Sequence, residues 1–134
     1  ARAWAALAAV HEGRGDLPAA VEAWRRAVEL DPGDAAAANN LGYALERLGQ
    51  PAQASDLYAR ALAVDPTYAL AWFNLGDLAL QHGEPEQAIH FYRGGLELAP
   101  GNEQARRNLV QAEALARGVP ATTSDPVEEH PAGR

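Results

Sequence analysis

The chain contains no cysteine, no methionine and no lysine, and its only serines are Ser55 and Ser124. Without cysteine there is no disulfide framework, no thiolate metal site and no thiol nucleophile, and cysteine usage assigns no redox compartment. Without lysine, all 11 basic residues are arginines, set against 18 acidic residues for a net charge of −7. Nucleic-acid binding by charge neutralisation needs a basic stripe. The only adjacent basic pairs are Arg25-Arg26 and Arg106-Arg107, so nucleic acid is not an expected partner. Aromatic residues are scarce at 7%, whereas 48% of the chain is hydrophobic and alanine dominates that share. A core of this kind is built by helices that approach closely rather than by bulky side chains, which predicts an all-α protein.

No apolar run approaches the roughly 20 residues that cross a bilayer, so membrane insertion is not expected of this segment. A soluble segment is predicted, and the arginine- and alanine-rich, lysine-free composition points to a GC-rich bacterial source, hence to bacterial cytoplasm or periplasm. The missing initiator methionine predicts that the chain begins inside a longer product. At 134 residues it suits one compact domain or a short run of repeats.

Catalytic chemistry is equally thin. Neither serine has a histidine and a carboxylate spaced to activate it. His11, His82, His90 and His130 share no metal-ligand spacing, and His82 falls at the end of a predicted helix, where a partly cationic ring suits the dipole. The run Gly13-Arg14-Gly15-Asp16-Leu17-Pro18 has a superficial likeness to a phosphate loop and contains the adhesive tripeptide Arg14-Gly15-Asp16. No strand precedes it, and turn chemistry accounts for it. No enzyme activity, cofactor or metal is predicted.

Internal repetition carries most of the information. A shift of 34 residues superimposes Leu7, Leu41 and Leu75; Gly15, Gly49 and Gly83; Ala20, Ala54 and Ala88; and Pro32, Pro66 and Pro100. Similar columns join Trp4 with Trp72, Trp24 with Tyr58 and Tyr92, Ala27 with Ala61 and Gly95, and Leu30 with Val64 and Leu98. The units are residues 1–34, 35–68 and 69–102, followed by a capping helix at 103–117 and a tail at 118–134. In each unit the glycine column ends a first helix, and Asp16-Leu17-Pro18, Gln50-Pro51 or Glu84-Pro85 starts a second. The second helix runs to Asp31-Pro32, Asp65-Pro66 or Ala99-Pro100, where proline can open the next helix but cannot continue the last. Gly94-Gly95 interrupts the third unit's second helix at a cost of about 0.5 to 1 kcal/mol per glycine. Tolerated drift is the favoured explanation; the alternative is close approach of another backbone.

The pattern Trp4, Leu7, Ala20, Trp24, Ala27 and Pro32, repeated over residues 1–102, closely resembles the tetratricopeptide repeat. Asn108-Leu109 continues it into the capping helix, whose Arg106, Arg107, Gln111 and Glu113 give a terminal element its polar outer face. The resemblance implies a right-handed α-solenoid of antiparallel helix pairs, seven helices in all, with first helices lining a concave groove. The groove-facing places it implies are Arg2, Ala5, Ala6, Ala9 and Glu12, then Ala36, Asn39, Asn40, Tyr43, Glu46 and Arg47. Leu70, Phe73, Asn74, Asp77 and Gln81 follow, then Arg107, Asn108 and Gln111 from the cap.

Asn40, Asn74 and Asn108 form a column, and a side-chain amide offers a donor and an acceptor to an extended peptide backbone. Such a column looks like the asparagine ladder in the repeats of the nucleocytoplasmic glycosyltransferase that modifies serines and threonines. Asparagine is also common at this place in the repeat, where it can cap or orient neighbouring helices. Tyr43, Leu70 and Phe73 would add an apolar strip. The expected function is an adaptor that binds an extended segment of a protein partner. The alternatives are an oligomerising scaffold subunit of a larger complex and the targeting region of a longer enzyme. Family members that clamp the carboxylate tails of Hsp70 or Hsp90 use groove lysines and an arginine. Ala5, Ala9, Leu70 and Asn74 stand at those places here and only Asn40 fits, so that mode is not expected. The tail, with Pro120, Pro126, Pro131 and several acidic residues, reads as solvated. Packing of the tail into its own or a neighbouring chain's groove is a further expectation, and with it self-association.

Overall fold

The computed structural model describes residues 1–118; the expectations for the tail fall on residues 119–134 and lie outside them. Seven helices make up the described residues: α1 (Arg2–Gly13), α2 (Leu17–Leu30), α3 (Ala35–Arg47), α4 (Pro51–Val64), α5 (Ala69–Gln81), α6 (Pro85–Leu98) and α7 (Glu103–Ala116). None is long and apolar enough to cross a membrane.

The turn within each unit is set by two residues. Gly15 takes φ +77°, a conformation in which a side chain is strained. Its N–H donates to the Glu12 carbonyl at 3.0 Å and the Asp16 N–H to the His11 carbonyl at 2.9 Å, the paired bonds that seal a helix end. Asp16 then caps α2, its Oδ1 accepting from the Ala19 N–H at 3.2 Å. The same backbone bonds recur at Gly49-Gln50 and Gly83-Glu84. There Pro51 and Pro85 open α4 and α6, where a missing N–H leaves nothing unsatisfied.

The prolines between units take only one of the two roles open to them. Pro32, Pro66 and Pro100 stop a helix but do not open one, because α3, α5 and α7 begin three residues later at Ala35, Ala69 and Glu103. Polar caps start two of these helices: Asp34 accepts from the Ala37 N–H at 3.1 Å and Asn102 from the Ala105 N–H at 2.9 Å.

Helices α1, α3 and α5 each pack on the even-numbered helix that follows, and α2, α4 and α6 pack in turn on α3, α5 and α7. Contacts of α3 with α5 and of α5 with α7 lay the first helices side by side along one face of a solenoid. The core repeats with the sequence. Ala20, Ala54 and Ala88 are fully buried, and the Trp24, Tyr58 and Tyr92 rings are buried beside them, each contributing about 1.5 to 3 kcal/mol by removal from water. Small residues make room for the rings: a Cβ added to Gly42 or Gly76 would lie 2.9 Å from Tyr58 Cε1 or 2.7 Å from Tyr92 Cε1.

Gly94-Gly95 is neither drift nor a seat for another backbone. A Cβ on Gly94 would lie 2.7 Å from Trp72 Cε3, and one on Gly95 2.7 Å from Phe73 Cδ1. The two glycines of α6 accommodate two rings of α5. In the second unit the corresponding residues are Ala38-Asn39 and Arg60-Ala61, so bulk removed from one helix is restored on the other.

The first unit departs in a second respect. Leu41 and Leu75 are 3% and 7% exposed, whereas Leu7 in the same column is 41% exposed, with Trp4 and Val10 also open to solvent. The leucine column is covered by the second helix of the preceding unit, and no helix precedes α1 in the described residues.

Candidate functional site

The face built by α1, α3, α5 and α7 carries two ladders of polar contacts. One joins the buried rings of the second helices to carboxylates of the first: Trp24 Nε1 donates to Glu12 at 2.8 Å, Tyr58 Oη to Glu46 at 2.7 Å and Tyr92 Oη to Asp77 at 2.5 Å. In the third unit Leu80 holds the place of Glu12 and Glu46, and the acceptor moves back one helical turn to Asp77. Burial, reinforced by the bonded carboxylates, pushes the Tyr58 and Tyr92 hydroxyls far above the usual tyrosine range. Burial also raises Asp77, only partly offset by the hydrogen bonds from Tyr92 and Asn108. The result is one half-buried acid per unit, each tied to a ring of the core.

The second ladder is the asparagine column. Asn74 Nδ2 donates to Asn39 Oδ1 at 3.0 Å, and Asn108 Nδ2 donates to Asp77 Oδ1 at 3.1 Å. Each amide reaches back from one first helix to the one before it, spanning 35 or 31 residues. The places at those two separations before Asn40 are Ala5 and Ala9, which have no side-chain acceptor. Asn74 and Asn108 therefore orient neighbouring helices, while the Asn40 amide has no such neighbour in α1.

The residues predicted from the sequence are not equivalent in place. Leu70, Phe73, Asn74, Asp77 and Asn108 come together around a cavity of about 180 Å³ between α5 and α7. Phe73 forms its floor, 7% exposed, while Leu70 stands at its edge, 53% exposed. Asn39 is buried at 4% exposure and presents its oxygen to Asn74 rather than to solvent. Tyr43 is exposed, with the Arg47 guanidinium 5.7 Å from its ring centroid. Arg107 is exposed and donates to Gln104 Oε1 at 3.2 Å.

Four further residues line the cavity, Tyr92, Asn102, Gln104 and Ala105. Gln104 holds the second place of the capping unit, the place of Leu70, so the repeat register could have marked it. Tyr92 belongs to a second helix and carries no signal of its own beyond the aromatic column. No group of three or more histidines and carboxylates is placed to hold a metal ion among the described residues.

A family profile described as "Tetratricopeptide repeat" matches residues 39–103, and a second, described as "TPR repeat", matches residues 14–49. No curated protein matches the chain. Among solved structures, that of the MamA protein is 28% identical with a TM-score of 0.79, over 87% of this chain and 63% of that one; the chain thus spans less than two thirds of its length. The Thermobaculum terrenum O-GlcNAc transferase is 30% identical with a TM-score of 0.74, over 83% of this chain but only 21% of the transferase. The first TPR of Spaghetti (RPAP3), solved with an HSP90 peptide, shares the fold at a TM-score of 0.81 and 24% identity, over 85% of this chain and 91% of that one. With three helix pairs and a final helix on the 34-residue period, and with family profiles spanning residues 14–103 between them, the chain belongs to the tetratricopeptide repeat family.

Proposed function

We propose that the chain is a non-enzymatic adaptor that holds an extended segment of a protein partner along the face of α1, α3, α5 and α7. The family's fold commonly serves protein–protein interaction, and a face of first helices with a cavity between α5 and α7 offers such a segment a surface to lie on. The observation that carries the proposal is Asn40. It repeats the register of Asn74 and Asn108, which bond the preceding helix, yet the corresponding places of α1 hold Ala5 and Ala9, which have no side-chain acceptor. Its amide is available to a peptide backbone, with Tyr43 and Leu70 exposed on the same face to take side chains.

Peptides selected by display on the full chain test this. Replacing Asn40 and Leu70 by alanine should weaken the selected peptides by about 1 to 3 kcal/mol, the cost of losing a buried hydrogen bond or an apolar anchor. Unchanged affinity would remove the proposal.

A second reading is favoured by the Trp4, Leu7 and Val10 stripe on α1, which the packing of the other units leaves open. In that reading the chain is an oligomerising scaffold subunit. Sedimentation across a concentration series, with Leu7→Glu as comparison, separates the two: the adaptor stays monomeric in both, and the scaffold subunit dissociates only when substituted.

A further inference from the structure

The first and third units carry the same tryptophan, and only one of them has a cation beside it. In the first unit the Arg26 guanidinium lies 5.9 Å from the Trp4 ring centroid and is flanked by Glu22 at 3.9 Å and Glu29 at 3.7 Å. A guanidinium near an indole face with carboxylates around it is a favourable arrangement. The third unit keeps the tryptophan as Trp72, the carboxylate of Glu29 as Glu97 and the apolar Leu30 as Leu98. It replaces Arg26 by Gly94.

The Trp72 ring packs directly on Gly94, and beside it is an open pocket of about 540 Å³, lined by Trp72, His90, Gly94, Glu97 and Leu98 among others. The ring is held in place: Trp72 Nε1 donates to the Pro66 carbonyl at 2.9 Å, and His90 stands edge-on to it with centroids 6.0 Å apart. His90 takes the place of Glu22, and Glu86, one turn earlier on α6, supplies the second carboxylate of the lining. The cation of the lining, Arg93, is engaged by Glu113 at 2.9 Å. The remaining lining charges, Glu86 and Glu97, favour a cation, as does the net charge of −7 over the whole chain.

The geometry points to a second binding site on the α6 side of the third unit, whose ligand is an arginine side chain of a protein partner. That guanidinium would lie between Trp72 and Glu97, the same pairing of indole and carboxylate that Arg26 has with Trp4 and Glu29. The site shares no residue with the cavity between α5 and α7 and stands or falls independently of the proposed adaptor role.

The test is a nuclear magnetic resonance titration of the full chain with N-acetyl-arginine methylamide, its lysine counterpart and its uncharged citrulline counterpart, at constant ionic strength. The arginine probe should shift the Trp72 indole N–H and the Gly94 amide saturably. The lysine probe should bind more weakly because it lacks a planar face to lay near the indole, and the citrulline probe should have no effect. Glu97→Gln should weaken the arginine probe by about twofold to fivefold, as for a solvent-accessible ion pair. Arg26 is exposed, so Arg26→Ala leaves the core intact and should make the Trp4 indole respond as well. An equal response to arginine and citrulline, no response at Trp72, or a silent Trp4 in Arg26→Ala would each overturn the assignment.

Discussion

Replacing Gly95 by alanine opposes two effects of known sign. In an open helix interior alanine is favoured over glycine by about 0.5 to 1 kcal/mol. At this position the added Cβ would lie 2.7 Å from Phe73 Cδ1 and 3.0 Å from Trp72 Cβ. Phe73 is buried and can make way only by exposing its ring or displacing α5 from α6. Overpacking of this kind costs about 1 to 3 kcal/mol, so the expected outcome is a net loss of about 1 to 2 kcal/mol, read by urea unfolding followed by circular dichroism. The cause is isolated by a double-mutant cycle. Phe73→Leu, which trims the ring, should cost less in the Gly95→Ala background than in the wild type, with a coupling of about 1 kcal/mol or more. A Gly95→Ala protein more stable than wild type, or additive costs, would refute the argument that the glycine pair exists to seat the α5 rings.

Other outcomes follow from the same contacts. Leu41→Ala should cost about 2 to 5 kcal/mol and Leu7→Ala under about 1 kcal/mol by the same unfolding assay, because one member of the column is covered and the other is exposed. Tyr92→Phe should cost about 1 to 3 kcal/mol by leaving Asp77 with Asn108 as its remaining donor. Tyr58→Phe should cost a similar amount, since Glu46 likewise keeps one donor, Gln81 at 3.5 Å. Burial raises Asp77 above its ordinary value of 3.8, so its contribution to stability is fully present below that value and is lost as pH rises through the raised one. The stability gained by Asp77→Asn, which keeps the acceptor oxygen, should therefore be larger at pH 7 than near pH 4; a difference independent of pH would contradict the burial argument.

Most of the chain's local structure was legible beforehand. The 34-residue period, the glycine column and the residues after it placed all seven helices, because helix ends depend on the conformation of one glycine and the side chain of one cap. At Pro32, Pro66 and Pro100 the local argument left proline two possible tasks, stopping one helix and opening the next. The loop needs only the first, since Asp34 and Asn102 start the next helices with their own oxygens. The candidate site was legible less evenly. Register identified Leu70, Asn74, Asp77 and Asn108, which do gather around one cavity. It could not show that Asn39 is buried, or that Tyr92 of a second helix joins the lining.

By itself the sequence determined the number of helices, their pairing and the family, because those are consequences of periodicity and capping carried by neighbouring residues. Tertiary structure alone decided which side chains meet across helices. Whether an asparagine orients a neighbouring helix depends on the residue 31 or 35 positions earlier. Whether a glycine is a defect or a seat depends on the ring opposite it, and whether a tryptophan holds an arginine or borders an open pocket depends on one residue in the next helix. Those partners are brought together only by packing, and a 34-residue repeat leaves each unit free to fill the same geometry with different chemistry.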